Sequence, residues 1–96
     1  MSPLYIARSP DIAARLMDGE MIVMSTRDSR IFTLSPVGTA IWQAADGRTP
    51  LSEIVESRVC AAFEVEAGVA YRDAQDFVDE LAKHGILLVS DHPAAA

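Results

Sequence analysis

Catalysis begins with nucleophiles, acids, bases and metal ligands, and this chain has few that stand together. Its one cysteine, Cys60, lies in an apolar, helix-period run, and the two histidines, His84 and His92, are remote from it. A Cys–His nucleophile pair has no local basis there, so Cys60 is expected to be a core thiol. Glu80 and His84 stand four residues apart, the spacing that puts two side chains on one helix face. They supply half of a metal or acid–base site, but no second pair of ligands matches them, and a surface ion pair is the expected role. The five glycines are scattered, with no glycine-rich loop feeding a helix to hold phosphate. Asp73, Asp76, Asp79 and Glu80 read as a solvated helix face that would also attract a basic peptide. The chain is therefore expected to be no enzyme and to carry no cofactor or metal.

Composition narrows the classes further. Ninety-six residues, half of them apolar and 23% charged, suit a single domain, taken as 1–96 with its core at about 12–90. A formal charge of −6 opposes a phosphate backbone, which counts against nucleic acid as a partner. A single cysteine fits a reducing compartment. No stretch of eighteen apolar residues and no signal-like start occurs, so the expected setting is cytoplasmic, with no membrane partner.

The elements follow from periodicity and turn chemistry. Pro3 and Pro10 bracket Leu4-Tyr5-Ile6-Ala7, which suggests an extended arm lying on the domain or on a partner. Residues 13–17 and 20–25 should pair as a hairpin through Asp18-Gly19, because glycine accepts positive φ without a Cβ clash. Met21-Ile22-Val23-Met24, apolar at every position, suggests a strand covered on both faces or central in its sheet. Thr26-Arg27-Asp28-Ser29 is turn material, and residues 30–34 alternate again to complete a three-stranded meander. Ser35 and Pro36 then supply an N-cap and a first-turn proline. Val37, Ala40, Ile41 and Ala44 give that helix one apolar stripe, with Trp42 off it as either second-side core or a partner-facing anchor.

Asp46-Gly47 should end this helix, and Thr49-Pro50 should start the next, whose stripe is Leu51, Ile54, Val55, Val59 and Ala62 with Phe63 at its border. Arg58 falls inside that stripe, which requires a snorkelling stem or a rotated helix. Residues 64–68 read as a loose connection broken by Gly68. The third helix should begin at 70–73 and run to His84, with Ala70, Ala74, Phe77, Val78 and Leu81 inward and Gly85 as its C-terminal cap. Residues 86–89 form a short apolar strand, and 91–96 a tail. The resulting fold class is α+β and winged-helix-like, a three-stranded antiparallel sheet followed by three helices.

Phe32-Thr33-Leu34-Ser35, Gly38-Thr39-Ala40-Ile41-Trp42, Asp46-Gly47-Arg48-Thr49, Glu53-Ile54-Val55 and the later Asp73–Leu81 block with Gly85-Ile86-Leu87 occur in an order that resembles the PqqD-like family. The resemblance runs from about Ala13 to Val89. It implies a module that binds the leader segment of a ribosomally made precursor peptide as a strand beside the third strand and against the third helix. It also implies a partner enzyme, typically a radical S-adenosylmethionine enzyme of pyrroloquinoline quinone or related peptide maturation. Carried onto this sequence, the peptide site is Arg30, Ile31, Phe32, Thr33 and Leu34 on the strand with Asp73, Asp76, Phe77, Glu80, Lys83 and His84 on the helix. Of these, Ile31, Thr33, Asp76, Glu80 and Lys83 are the outward candidates, while Phe32, Leu34 and Phe77 face inward at least in part. An open sheet edge also permits two copies to pair. The alternative in another class is a winged-helix transcription regulator, because strands plus three helices is that architecture too.

Overall fold

The computed structural model describes residues 4–10, 12–25 and 29–93. Strands β2 (Ile12–Met17), β3 (Glu20–Ser25) and β4 (Ile31–Thr33) form an antiparallel meander in the order β2-β3-β4. Asp18 and Gly19 both take positive φ, 53° and 82°, which matches the twist of a two-residue hairpin. Most of the expected turn before β4 lies outside the described residues. Helix α1 (Pro36–Ala44) starts as expected: the Ser35 side chain accepts from the Gly38 N–H at 3.1 Å.

Where the meander meets α1, one side chain makes the junction. Leu34 N–H donates to Met21 O at 2.8 Å, but the reverse bond of that pair is not made directly. Thr39 Oγ1 stands between: it accepts from Met21 N–H at 3.0 Å and donates to Leu34 O at 3.3 Å. At the far end of β3, the buried Ser25 hydroxyl donates to His84 O, fixing the strand to the end of the last helix.

A second sheet, order β5-β1-β6, goes beyond the expected meander. Its middle strand is β1 (Tyr5–Arg8), the segment read as an arm, which lies on the domain with Ile6 fully buried. β1 pairs with β6 (Leu87–Ser90) and with β5 (Asp46–Pro50). The helix before it stops at Ala44 and the next starts at Leu51, as expected, but the Asp46-Gly47 and Thr49-Pro50 stretch between them is a bulged strand. Gly47 takes φ 77°, and Asp46 accepts from Arg48 N–H and Thr49 N–H, both at 2.9 Å, and from the Thr49 hydroxyl. That carboxylate claims the hydroxyl expected to cap the next helix. These bonds to its charged form hold the Asp46 pKa below its ordinary value.

Helix α2 covers residues 51–63 in three pieces, α-helical Leu51–Ile54, π-helical Val55–Cys60 and α-helical Ala61–Phe63. The extra residue in the π segment answers the Arg58 question by rotating the helix: Val59 is buried and Arg58 is exposed. It also turns Ala62 and Phe63 outward, against the expected stripe. Helix α3 is Ala67–Lys83, so Gly68 lies in its first turn rather than breaking the chain; Glu64, at φ 51°, makes the connection. The inward set Ala70, Ala74, Val78 and Leu81 is as expected, and Gly85 at φ 70° ends the helix with Ile86 N–H bonded to Leu81 O.

Trp42 is core: it is buried in α1, and the Arg8 guanidinium of β1 sits 5.4 Å from its ring centroid. β3 is central in its sheet, the second of the two expectations for it, and is covered on one face only. Met21 and Val23 are buried, whereas Met24 is exposed and Ile22 partly so.

Thr39→Val keeps the shape but strands Met21 N–H and Leu34 O in the core, so it should cost about 2–3 kcal/mol in urea unfolding. Thr39→Ser, which keeps the hydroxyl, should lose distinctly less. Asp46 contributes a pH dependence with a fixed sign. Its folded pKa is lowered, so its stabilisation is complete well above 3.8 and fades as pH falls through 3.8 and then the folded value. In acid titration of unfolding, Asp46→Asn should flatten that part of the wild-type decline.

Candidate functional site

β4 is an edge of its sheet, and its hydrogen-bond phase decides what that edge offers. Because Leu34 N–H donates to Met21 O and Ser25 N–H donates to Arg30 O, the even positions of the strand face β3. Antiparallel bonding alternates along a strand, so Ile31 and Thr33 aim their N–H and C=O groups away from the sheet. These are the groups through which another extended chain could pair.

Beside that edge runs a groove between β4 and α3. A cavity of about 350 Å³ is lined by Phe32, Thr33, Leu34, Ser35, Phe77, Glu80 and Leu81. It adjoins a second, of about 280 Å³, through Ser35 and Phe77, and this one continues past Gly38, Ile41 and Val59 to Asp73. The floor is apolar and the helical rim is acidic. A chain laid along β4 would therefore meet main-chain partners on one side and an apolar slot on the other.

Sequence assigned eleven residues to this place, and they occupy different positions in it. Ile31 is 67% exposed and Thr33 is exposed, both with outward main chain. Phe32 and Phe77 are half-buried groove walls. Leu34 is core at 4% exposure and presents only part of its surface to the groove. Glu80 lines the β4 side and Asp73 the far side, whereas Asp76 and Lys83 are exposed on α3 without lining either cavity. Arg30 is exposed just before the strand. His84 closes the upper end: its ring lies 5.0 Å from that of Phe32, tilted by 49°, and its Nε2 is 3.7 Å from Glu80 Oε1. The expected Glu80–His84 pair is thus present.

Gly38, Ile41, Val59 and Val65 line the groove without having been assigned to it. They come from α1 and from α2 and its exit, and only the packing of α3 across those helices brings them together. A Cβ at Gly38 would stand 2.9 Å from Phe77 Cε1, so glycine there lets the ring lie down against α1. Among the described residues, no group of three or more His, Cys, Asp or Glu side chains gathers as a metal site, and no helix is long and apolar enough to cross a membrane.

Comparison with known proteins matches most of the chain. The family model described as coenzyme PQQ synthesis protein D (PqqD) matches residues 20–87. The chain is similar to a solved structure of TbiB1 in complex with the TbiA(beta) leader peptide, at 27% identity and TM-score 0.75, over 84% of this chain and 93% of that one. It is also similar to a lasso peptide synthetase B1 complexed with the leader peptide, at 25% identity and TM-score 0.72, over 86% of this chain and 96% of that one. No curated protein matches the chain.

Gly38→Ala separates groove shape from stability. Alanine gains about 1 kcal/mol of helix propensity, which offsets the cost of moving Phe77. The urea midpoint should therefore stay close to wild type while the Phe77 ring resonances shift.

Proposed function

The chain belongs to the PqqD family, and from that premise we propose that it is a non-catalytic module that binds the leader segment of a ribosomally made precursor peptide and presents it to a separate modifying enzyme. The observation that carries the reading is the pairing of an open strand edge with an apolar groove. Ile31 and Thr33 offer outward N–H and C=O groups, while Phe32, Leu34, Phe77 and Leu81 line the slot beside them. Strand addition uses such a pair of features: the main chain supplies affinity, and alternate side chains entering the slot supply selectivity. Arg30 to Leu34 and the Asp73, Asp76, Phe77, Glu80, Lys83 and His84 face of α3 form the peptide site in this proposal, with Leu34 acting from the core.

The similarity to two leader-peptide complexes supports this reading. The partner enzyme is proposed to be a radical S-adenosylmethionine or other peptide-modifying enzyme, and the setting the cytoplasm. The domain is taken as one unit over 1–96, and pairing of two copies through an open edge competes with the peptide for β4. A duplex-binding role has no support. The exposed face of α3 carries Asp73, Asp76, Asp79 and Glu80, which would repel phosphate.

The test uses the outward phase of β4. Thr33→Pro removes an N–H that bonds nothing in the sheet, and proline is tolerated on an edge. It should leave unfolding nearly unchanged while weakening binding of the leader peptide encoded beside this gene by about ten-fold, the equivalent of one lost hydrogen bond. Fluorescence anisotropy with a labelled leader reads the effect. Undiminished binding in the variant would remove β4 pairing from the account.

A further inference from the structure

β2 is the barest strand of the fold. Ala13, Ala14, Arg15, Leu16 and Met17 are all exposed, so neither face of the strand is covered along most of its length. Leu16 lies on the core side, opposite Met21, and is still 53% exposed, because β2 overhangs the core. Its far edge is open too. Since Met21 and Ser25 of β3 bond towards β4, the even residues of β3 bond towards β2, where their partners are Ala13, Arg15 and Met17. Ile12, Ala14 and Leu16 therefore aim their N–H and C=O groups outward, where they bond nothing among the described residues. The described residues give four such edges, and β2 is the one able to pair at length. β4 has three residues, β6 has four, and β5 is bulged and ends in proline. β2 has six, with no bulge against β3, no proline and one charge. Edges are commonly blunted by charge, proline or a bulge, so a long bare one is a place for another strand.

We infer that the strand it takes is β2 of a second copy of this chain, antiparallel, with Ala14 on the two-fold axis. Outward groups must meet outward groups, which limits the register to even residues opposite even ones. Two such registers use five residues of the strand. One puts Ala14 opposite itself, Ile12 opposite Leu16 of the second copy, and Ala13 opposite Arg15 of the second copy. The other sets Arg15 against Arg15 of the second copy, two like charges at the closest spacing of an antiparallel ladder, and is rejected. In the first, Ile12 and Leu16 cover each other across the junction, and the overhang of both β2 strands keeps the two cores apart. The depression beside β2, of about 210 Å³, is lined by strand residues alone, so β2 offers a peptide no helix-walled slot of the kind β4 has. A second copy on β4 would displace the peptide; on β2 it lengthens the sheet from the other end. The order becomes β4-β3-β2 followed by β2-β3-β4 of the second copy, and each β4 keeps its own groove. Five paired residues span about 17 Å. That contact is at the small end for association, so the dimer is transient and grows with concentration.

Sedimentation of the wild type should show a monomer–dimer equilibrium that is plain at about 1 mM. Amide exchange in the same samples should slow with concentration at Ile12, Ala14 and Leu16, while Ala13 and Arg15, already bonded to β3, should not change. Ala14→Lys sets like charges against each other on the axis and should weaken association by about ten-fold or more. Its side chain is exposed, so the urea midpoint should stay close to wild type. Ala13→Glu should tighten association by about two- to ten-fold, since each new carboxylate meets Arg15 of the second copy. A monomer at every concentration would overturn the inference, as would a dimer that slows exchange at Ile31 and Thr33 instead, or one that Ala14→Lys leaves intact. Ala13→Glu with no gain would overturn the register and its axis at Ala14. Leader peptide that slows exchange at Ile12, Ala14 and Leu16 would give this edge to the peptide and overturn the second copy as its occupant.

Discussion

A hydroxyl group inserted into a strand pair governs how this fold turns from sheet to helix. Direct pairing of Met21 with Leu34 would continue the meander in a regular ladder. With Thr39 Oγ1 taking the Met21 N–H and returning its own proton to Leu34 O, the last pair keeps one direct bond and closes the other through a hydroxyl. The chain then leaves β4 straight into the Ser35 cap and α1. All three groups are buried, so each has its partner or loses about 1–3 kcal/mol. Ser25 makes the corresponding contact at the opposite end of β3, to the last turn before Gly85. The central strand is thus bolted to α1 and α3 by side-chain hydroxyls, and the position of β4 against α3, hence the groove, depends on both.

Local signals in the sequence were read correctly where neighbours in the chain settle the structure. Asp18-Gly19, Ser35-Pro36, the i, i+4, i+7 pattern of α3 and Gly85 are all short-range features, and each stands where its chemistry predicts. The second sheet was missed because its information is non-local. Tyr5 finds Pro50 and Ser90 across the whole length of the domain, and nothing in residues 4–8 alone names those partners. Asp46-Gly47 marks the end of α1 as expected, but the strand it opens was missed for a related reason. A turn pair after a helix looks the same whether the chain loops or bulges into a strand, and only β1 decides. The π segment was legible as a conflict, Arg58 within an apolar stripe, although the residues alone left two ways to resolve it.

The proposed peptide site was half legible. Alternation along residues 30–34 separated inward from outward positions, and the resemblance supplied the facing helix. What periodicity cannot provide is the phase of the main-chain bonds, which turns the N–H and C=O groups of Ile31 and Thr33 outward, or the contribution of Gly38, Ile41 and Val59 from other helices. The apolar run of β3 admitted burial on both sides or a central place in the sheet, and the central place is the one it takes. Ile22 and Met24 instead look outward, so a signature of covering was present in sequence without a covering element in the chain described.

β1 also determines how this domain can be joined to others. Tyr5 lies opposite Ser90, so the polypeptide enters and leaves at neighbouring points on the second sheet, away from β4 and its groove. A unit whose two ends are adjacent can be spliced into a surface loop of a larger polypeptide, or carried at either end of one, without pulling its strands apart. The same module is therefore suited to stand alone or to be built into a larger polypeptide, with the β4 edge equally open in each arrangement.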